Sequence, residues 1–148
     1  MRLLNLPPYE YKLKQEEEKI FIFDALRKKY LVLTPEEWVR QHFIQYIINY
    51  LQYPKALIKV EGGLVYNRLK KRSDIVVFDQ EGSPWMVIEC KSPDQNINNQ
   101  TLQQVSVYNS TLKARYVALT NGLNHLCCII DHQSKSTTPL NQFPKFGE

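Results

Sequence analysis

The sequence predicts an α/β fold: a mixed β-sheet flanked by helices, preceded by an N-terminal β-hairpin. Three observations point to it. Val39, Phe43, Tyr46, Ile47 and Tyr50 recur at three- and four-residue intervals, the spacing of an amphipathic helix. Two β-branched, apolar runs follow, DIVVFD at 74–79 and WMVIECK at 85–91, separated by the turn-forming stretch QEGSP. A second helical stretch at 98–112 then precedes two more apolar runs. The order helix, three strands, helix, two strands calls for a sheet with a helix on each side.

The bulk properties fit this class. A chain of 148 residues is the size of one domain. A hydrophobic share of 43% against 23% charged excludes wholesale disorder, and five glycines exclude a collagen-like chain. The uncharged apolar-rich runs, 41–54 and 116–130, fall short of the ~20 apolar residues of a membrane span. No signal-peptide core precedes Pro7-Pro8. The expectation is a soluble, cytoplasmic protein. Cys90, Cys127 and Cys128 agree with that compartment, because an odd count with two adjacent residues makes a poor disulfide framework. Neighbours on a strand face opposite ways, so Cys127 and Cys128 cannot serve one metal without distortion. His125-x-Cys127 lacks a second ligand pair, which leaves these thiols as small hydrophobes.

Taken in order, residues 10–14 and 19–24 read as a hairpin about the turn at Glu16-Glu17-Glu18, with a short extended piece at 30–33. Thr34-Pro35-Glu36-Glu37 reads as a helix start. Thr34 can cap, Pro35 suits the first turn, and the acids favour the positive end of the dipole. Thr34-x-x-Glu37 also matches a capping box. The helix runs to about 52, and Pro54 marks its end. Strands are expected at 57–66, with a bend or bulge at Gly62-Gly63, at 74–79 and at 85–91. Ser92-Pro93 breaks the last of these. Further strands are expected at 116–121 and 123–131, about the Asn121-Gly122 turn, and a loose tail from 133. The expected division is an N-terminal extension at 1–33, a core domain at 34–131 and a C-terminal tail at 132–148.

The net charge of +4 is mild, but its distribution is uneven. Residues 41–75 hold Lys55, Lys59, Arg68, Lys70, Lys71 and Arg72 against Glu61 and Asp74. Residues 76–100 hold Asp79, Glu81, Glu89 and Asp94 against Lys91 alone. The basic run Arg68, Lys70, Lys71, Arg72 beside an acidic cluster reads as a contact for a nucleic-acid backbone, since cationic side chains release counterions.

Chemistry concentrates at Asp74 and Glu89-Cys90-Lys91. Residues 89 and 91 share a strand face. Pairing 74–79 with 85–91 through the turn places Asp74 opposite Glu89. Two carboxylates and a lysine then converge at one sheet edge. Carboxylates so placed repel unless a cation sits between them. Oxygen donors of this kind suit Mg²⁺ or Mn²⁺, with the Cys90 backbone carbonyl as a third ligand. Such an ion polarises a phosphate and acidifies a water, while Lys91 would hold or deprotonate that water. Taken alone, Glu-x-Lys is an ordinary surface ion pair.

The ordered set Asp74-Ile-Val-Val-Phe, then Val-Ile-Glu89-Cys-Lys91-Ser-Pro, resembles the PD-(D/E)XK nuclease motif. Gln104-x-x-x-Tyr108 is similar to the Q-x-x-x-Y element of its RecB-like branch. The run Pro-Glu-Glu-Trp-Val-Arg-Gln at 35–41 and Leu-Thr-Asn-Gly at 119–122 resemble, more narrowly, the N-terminal nuclease domain of type I restriction enzyme R subunits.

That resemblance implies a restriction-endonuclease-like sheet and a metal-dependent DNA endonuclease of restriction–modification type. Asp74 and Glu89 match the metal-binding acids, and Lys91 matches the catalytic lysine. Gln104 matches the glutamine that contacts the site or the DNA, with Tyr108 one turn behind. The first-helix acid falls on Glu36 or Glu37, and Glu36 is favoured because its spacing to Val39 and Phe43 places it on the core-side stripe. DNA is the implied partner. Double-strand cleavage needs two sites, hence a homodimer or a partner subunit. No Gly-x-x-x-x-Gly-Lys stretch occurs in the chain, so ATP-driven translocation and partnership with a methylase are not carried over. The rival reading is a nuclease-like fold that binds nucleic acid without catalysis.

Overall fold

A computed structural model describes residues 1–60 and 74–148, the Tyr108 side chain excepted. Among these residues the chain forms two sheets. The first is a three-stranded antiparallel sheet of β1 (Leu13–Glu16), β2 (Lys19–Asp24) and β3 (Lys29–Val32). The expected hairpin is therefore two strands of a meander, with its first strand three residues later than the sequence suggested. The acidic turn lies where expected, and Glu17 takes the left-handed conformation at φ 57°.

The second sheet has the order β4 (Ile58–Val60), β5 (Ile75–Phe78), β6 (Pro84–Cys90), β7 (Tyr116–Thr120), β8 (His125–Asp131), β9 (Ser136–Leu140). Only the β6–β7 pair is parallel, and its crossover carries helix α2 (Asn99–Tyr108). Helix α1 (Pro35–Asn49) precedes the sheet. The expectation of a mixed sheet with a helix on each face holds. One core layer, under α1, contains Val39, Phe43, Ile47, Ile75, Met86, Ile88 and Cys127. The other, under α2, contains Val76, Val87, Leu102, Val105, Val117 and Cys128. Strands β5 to β7 are buried on both faces, which explains their nearly continuous apolar sequences. Cys127 and Cys128 do fall on opposite faces, and all three cysteines are buried, free thiols.

The termini depart from expectation. Residues from 133 onward are not loose: β9 pairs with β8, from Asp131–Ser136 to Cys127–Leu140. Beyond it the Tyr53 hydroxyl donates to the Pro144 carbonyl at 2.8 Å, and Phe143 and Phe146 pack on the core. The polar sequence STTPL misled because this is an edge strand, where an outward face and Pro139 are tolerated. At the other end, Trp38 Nε1 donates to the Arg2 carbonyl at 2.8 Å, and the Asn5 amide donates to the Gly122 carbonyl at 2.8 Å. Residues 1–11 and the meander thus cover the side of α1 turned away from the larger sheet. Ile22, wholly buried, belongs to the same core as Val39 and Phe43.

Helix α1 starts as read: Thr34 caps it, its Oγ1 accepting from the Glu37 amide at 3.0 Å. The box does not close on itself, because the Glu37 carboxylate is taken by Arg40 and Gln41. Asn98 caps α2 in a reciprocal box with Thr101. That helix ends at Tyr108 and gives way to a 3-10 turn at Ser110–Leu112. The strand expected at 57–66 begins with a 3-10 turn and contributes Ile58–Val60; its remainder, with Gly62-Gly63, lies outside the described residues. Among the described residues, no helix is long and apolar enough to cross a membrane.

Gly122 tests this packing. It sits at φ +84°, and a Cβ there would stand 2.8 Å from Leu4 Cδ2 and 3.0 Å from Val39 Cγ2. Gly122→Ala should cost about 1–3 kcal/mol in chemical denaturation. Gly82→Ala, at φ +87° with nothing within 4 Å, should cost less. Equal losses would contradict the close approach of the N-terminal segment.

Candidate functional site

The site forms where the start of β5 meets the end of β6. Their ladder pairs Ile75 with Ile88, Val76 with Val87 and Val77 with Met86, so the next step brings Asp74 level with Glu89, the register predicted from the turn. The register slips by one only at the turn end, where Phe78 pairs with Pro84. Asp74 is buried at 4% exposure and held from two sides. One oxygen accepts from the Cys90 amide at 2.7 Å, and the other accepts from Arg40 Nη2 at 2.8 Å. The structure thus ties Cys90 to Asp74 through its N–H.

Glu89 and Lys91 form an ion pair at 2.9 Å, with side chains 17% and 32% exposed. The β7–β8 turn fixes the segment that carries Lys91. The Lys91 amide donates to the Thr120 carbonyl at 2.8 Å, and Asn121 Nδ2 donates to the Gln95 carbonyl at 2.7 Å. Thr120 Oγ1 accepts from the Gly122 amide at 3.0 Å and lies 2.7 Å from His125 Nδ1. The Leu-Thr-Asn-Gly stretch thus braces the lysine loop. His125 is occupied on both ring nitrogens, since Nε2 lies 2.9 Å from the Asn5 carbonyl.

Burial, the largest cause, pushes the Glu89 carboxyl above its usual range; the Lys91 bond opposes this, and the carboxylates of Asp74 and Glu36 add to the rise. For Lys91, burial is the largest single influence and works against the charge, but the Glu89 bond and the charges of Glu89, Glu36 and Asp74 together outweigh it, and the ammonium is held more firmly than usual. Asp74 and Glu36 also act on Lys91, so these four groups share one electrostatic neighbourhood. At neutral pH the lysine is a fixed cation.

On the first helix the burial differs from the expectation that Glu36 lies on the core side. Glu37 is the inward acid, its side chain 11% exposed against 42% for Glu36. Helix α1 is covered on two sides, so residues 37–44 are all buried and no single stripe defines its inner face. Both acids bind Arg40, Glu37 at 2.5 Å and Glu36 at 2.8 Å. Sequence reasoning missed Arg40. The available signal was a polar pair, Arg40-Gln41, between Val39 and Phe43 inside a helix otherwise rich in apolar residues.

Gln104 stands on α2. It is exposed and lines a groove of about 830 Å³ with Gln100, Ser106, His132, Lys135 and Thr137, between α2 and the β8–β9 hairpin. Among the described residues no hydrogen bond joins it to Asp74, Glu89 or Lys91. The Tyr108 side chain and the basic residues Arg68, Lys70, Lys71 and Arg72 lie outside the described residues.

The donor chemistry fits a hard divalent ion. Glu36, Asp74 and Glu89 offer oxygen alone, and their mutual repulsion is what such an ion relieves. Among the described residues, however, no three acid, His or Cys side chains stand close enough to hold one together. Arg40 occupies the Asp74 oxygen instead.

The raised carboxyl carries a pH consequence. A proton is bound more tightly by Glu89 in the folded chain than in the unfolded one, so ionisation of Glu89 lowers stability as pH rises through the carboxylate range. Without divalent ions, Glu89→Gln should raise the melting temperature at pH 7–8, and the gain should vanish below about pH 4. Thermal melts in chelator across that range check this. A loss at neutral pH would mean that the Lys91 bond outweighs burial.

One known family matches most of the chain. The type I restriction enzyme R protein N terminus family matches residues 35–144, which span α1, the described six-stranded sheet and α2. No curated protein matches the chain. The chain belongs to the family of type I restriction enzyme R protein N termini.

Proposed function

We propose that this chain is a DNA endonuclease domain of the PD-(D/E)XK type that hydrolyses phosphodiester bonds with Mg²⁺ or Mn²⁺. The observation that carries the proposal is the meeting of Asp74, Glu89 and Lys91 at adjoining strand ends, with Asp74 bonded to the Cys90 amide at 2.7 Å and Glu89 to Lys91 at 2.9 Å. Asp74 and Glu89 are the groups that would hold the ion. Once bound, it would polarise the scissile phosphate and acidify a water.

The chain's own residues supply the rest. Lys91, kept protonated by Glu89, faces charge that builds on phosphate oxygens and acts as a cation rather than a base. Its braced loop keeps the ammonium in place before substrate arrives. Glu89, half-neutralised by Lys91 and desolvated, gains from a second positive partner. We assign phosphate-backbone contact to Arg68, Lys70, Lys71 and Arg72, a contact that gives affinity but not base identity. Gln104 and Tyr108 are proposed DNA contacts on α2, and Glu36 a proposed first-helix acid beside Glu37. Membership of the family supports a restriction role, and a partner subunit or a homodimer would supply the second cut.

A second reading, a binding module without catalysis, draws on one observation: Arg40 already fills a place that a metal would need. Cleavage of supercoiled plasmid with Mg²⁺ separates the two. Under the nuclease reading, Lys91→Ala and Asp74→Ala lower the rate by at least about 10²-fold while the folded circular-dichroism spectrum persists. Equal cleavage by wild type and both variants overturns it. A wild type that binds plasmid but never cuts it supports the binding module.

A further inference from the structure

We infer that Arg40 is a positioning residue of the candidate site: a built-in counter-cation that gathers Glu36, Glu37 and Asp74 and holds Asp74 level with Glu89. The inference rests on the nuclease reading for its effect on cleavage, but not for its structural part.

The guanidinium divides its two terminal nitrogens among three carboxylates. Nη1 meets Glu37 at 2.5 Å, and Nη2 meets Glu36 and Asp74, each at 2.8 Å. The side chain is 7% exposed, and among the described residues its Nε is buried without an acceptor. An unmet donor of this kind costs stability. The placement is thus set by the carboxylates, not by full satisfaction of the arginine. Burial opposes the charge, yet Asp74 and, further down, Glu37 more than offset it.

The arginine is itself anchored from the N-terminal sheet. The other Glu37 oxygen accepts from Gln41 Nε2 at 2.7 Å, and the same amide nitrogen donates to Asp24 at 3.0 Å. Asp24, wholly buried, is fixed by the amides of Leu26 and Arg27, both at 2.9 Å. An unbroken buried chain therefore runs from Asp24 through Gln41, Glu37, Arg40 and Asp74 to the β6 amide of Cys90. Its first link lies ahead of residue 35, where the family match begins. The N-terminal sheet thus forms part of the apparatus that sets Asp74.

Charge counting gives the arrangement a direction. With every group ionised, four carboxylates (Glu36, Glu37, Asp74, Glu89) face two cations (Arg40, Lys91). Two negative charges remain, the charge of one divalent ion. Arg40 therefore compensates part of the cluster while leaving a charge that Mg²⁺ or Mn²⁺ can fill. Removing it should make the cluster depend more on that ion.

Three measurements on the full chain decide this. In chelator, a denaturation cycle over Arg40→Gln, Asp74→Asn and the double variant should be coupled, the double losing less than the two singles together; additive losses overturn the contact. The melting shift produced by Mn²⁺ should be larger for Arg40→Gln than for wild type; an equal or smaller shift overturns the counter-cation. In cleavage, kcat of Arg40→Gln should fall about 10²-fold with KM for DNA changed far less, and Arg40→Lys should recover part of kcat. A wild-type kcat in Arg40→Gln overturns the positioning role. Should Arg40→Gln fail to fold, Arg40→Lys carries the test: it keeps the charge but not the fork, so a wild-type Mn²⁺ shift with reduced kcat supports the inference, and a wild-type kcat overturns it. If wild type neither cuts DNA nor responds to Mn²⁺, the nuclease reading falls, and the chelator cycle alone judges the Arg40–Asp74 contact.

Discussion

The structure of the site depends on how one buried carboxylate is held. Asp74 stands just before a strand buried on both faces, where an uncompensated charge would be expensive. It is tolerated because each oxygen has a donor: a guanidinium on one side and a backbone amide on the other. These bonds do more than neutralise it. The amide belongs to Cys90, whose neighbours are Glu89 and Lys91, so the bond that satisfies Asp74 also sets its distance from the strand that carries the other two groups. Both contacts are charge-assisted, the stronger class of hydrogen bond.

The same constraint explains why α1 breaks the simple rule of one apolar stripe. A helix with one face to a core and one to water places Arg and Gln outward. Here the N-terminal strap and the meander cover the second side, and Glu37, Arg40, Gln41 and His42 are buried with their apolar neighbours. His42 is accommodated by aromatic contacts with Tyr9 and Trp38 and by the Trp38 carbonyl, 2.9 Å from Nδ1. Polar residues in such a place are paired with one another because water cannot reach them. The chain from Asp24 to Cys90 is the result.

What was legible in the sequence follows from the range of the interactions involved. The Asp74–Glu89 register came from counting through a short turn, and it holds because buried strands tolerate no slip of one residue. The cap of α1 was legible because Thr34 acts on an amide three residues away. The placement of Glu36 on the core side did not hold because periodicity assumes a single inner face, and the covering layer comes from far upstream. Strand β9 was missed because an edge strand with a polar face lacks the apolar alternation that marks a strand. The Gln104 groove could not be foreseen either, since its far wall comes from the β8–β9 hairpin.

The electrostatics of the remaining pair give the account its direction. Glu89 is desolvated, close to other carboxylates and only partly relieved by Lys91, so the site carries unspent attraction for positive charge. The most direct test is anomalous diffraction from crystals soaked in Mn²⁺. The account predicts a peak at the β5–β6 junction beside the Asp74 and Glu89 carboxylates, the groups that would hold the ion. A peak remote from both acids, or a fully soaked crystal with none at the β5–β6 junction, would contradict it.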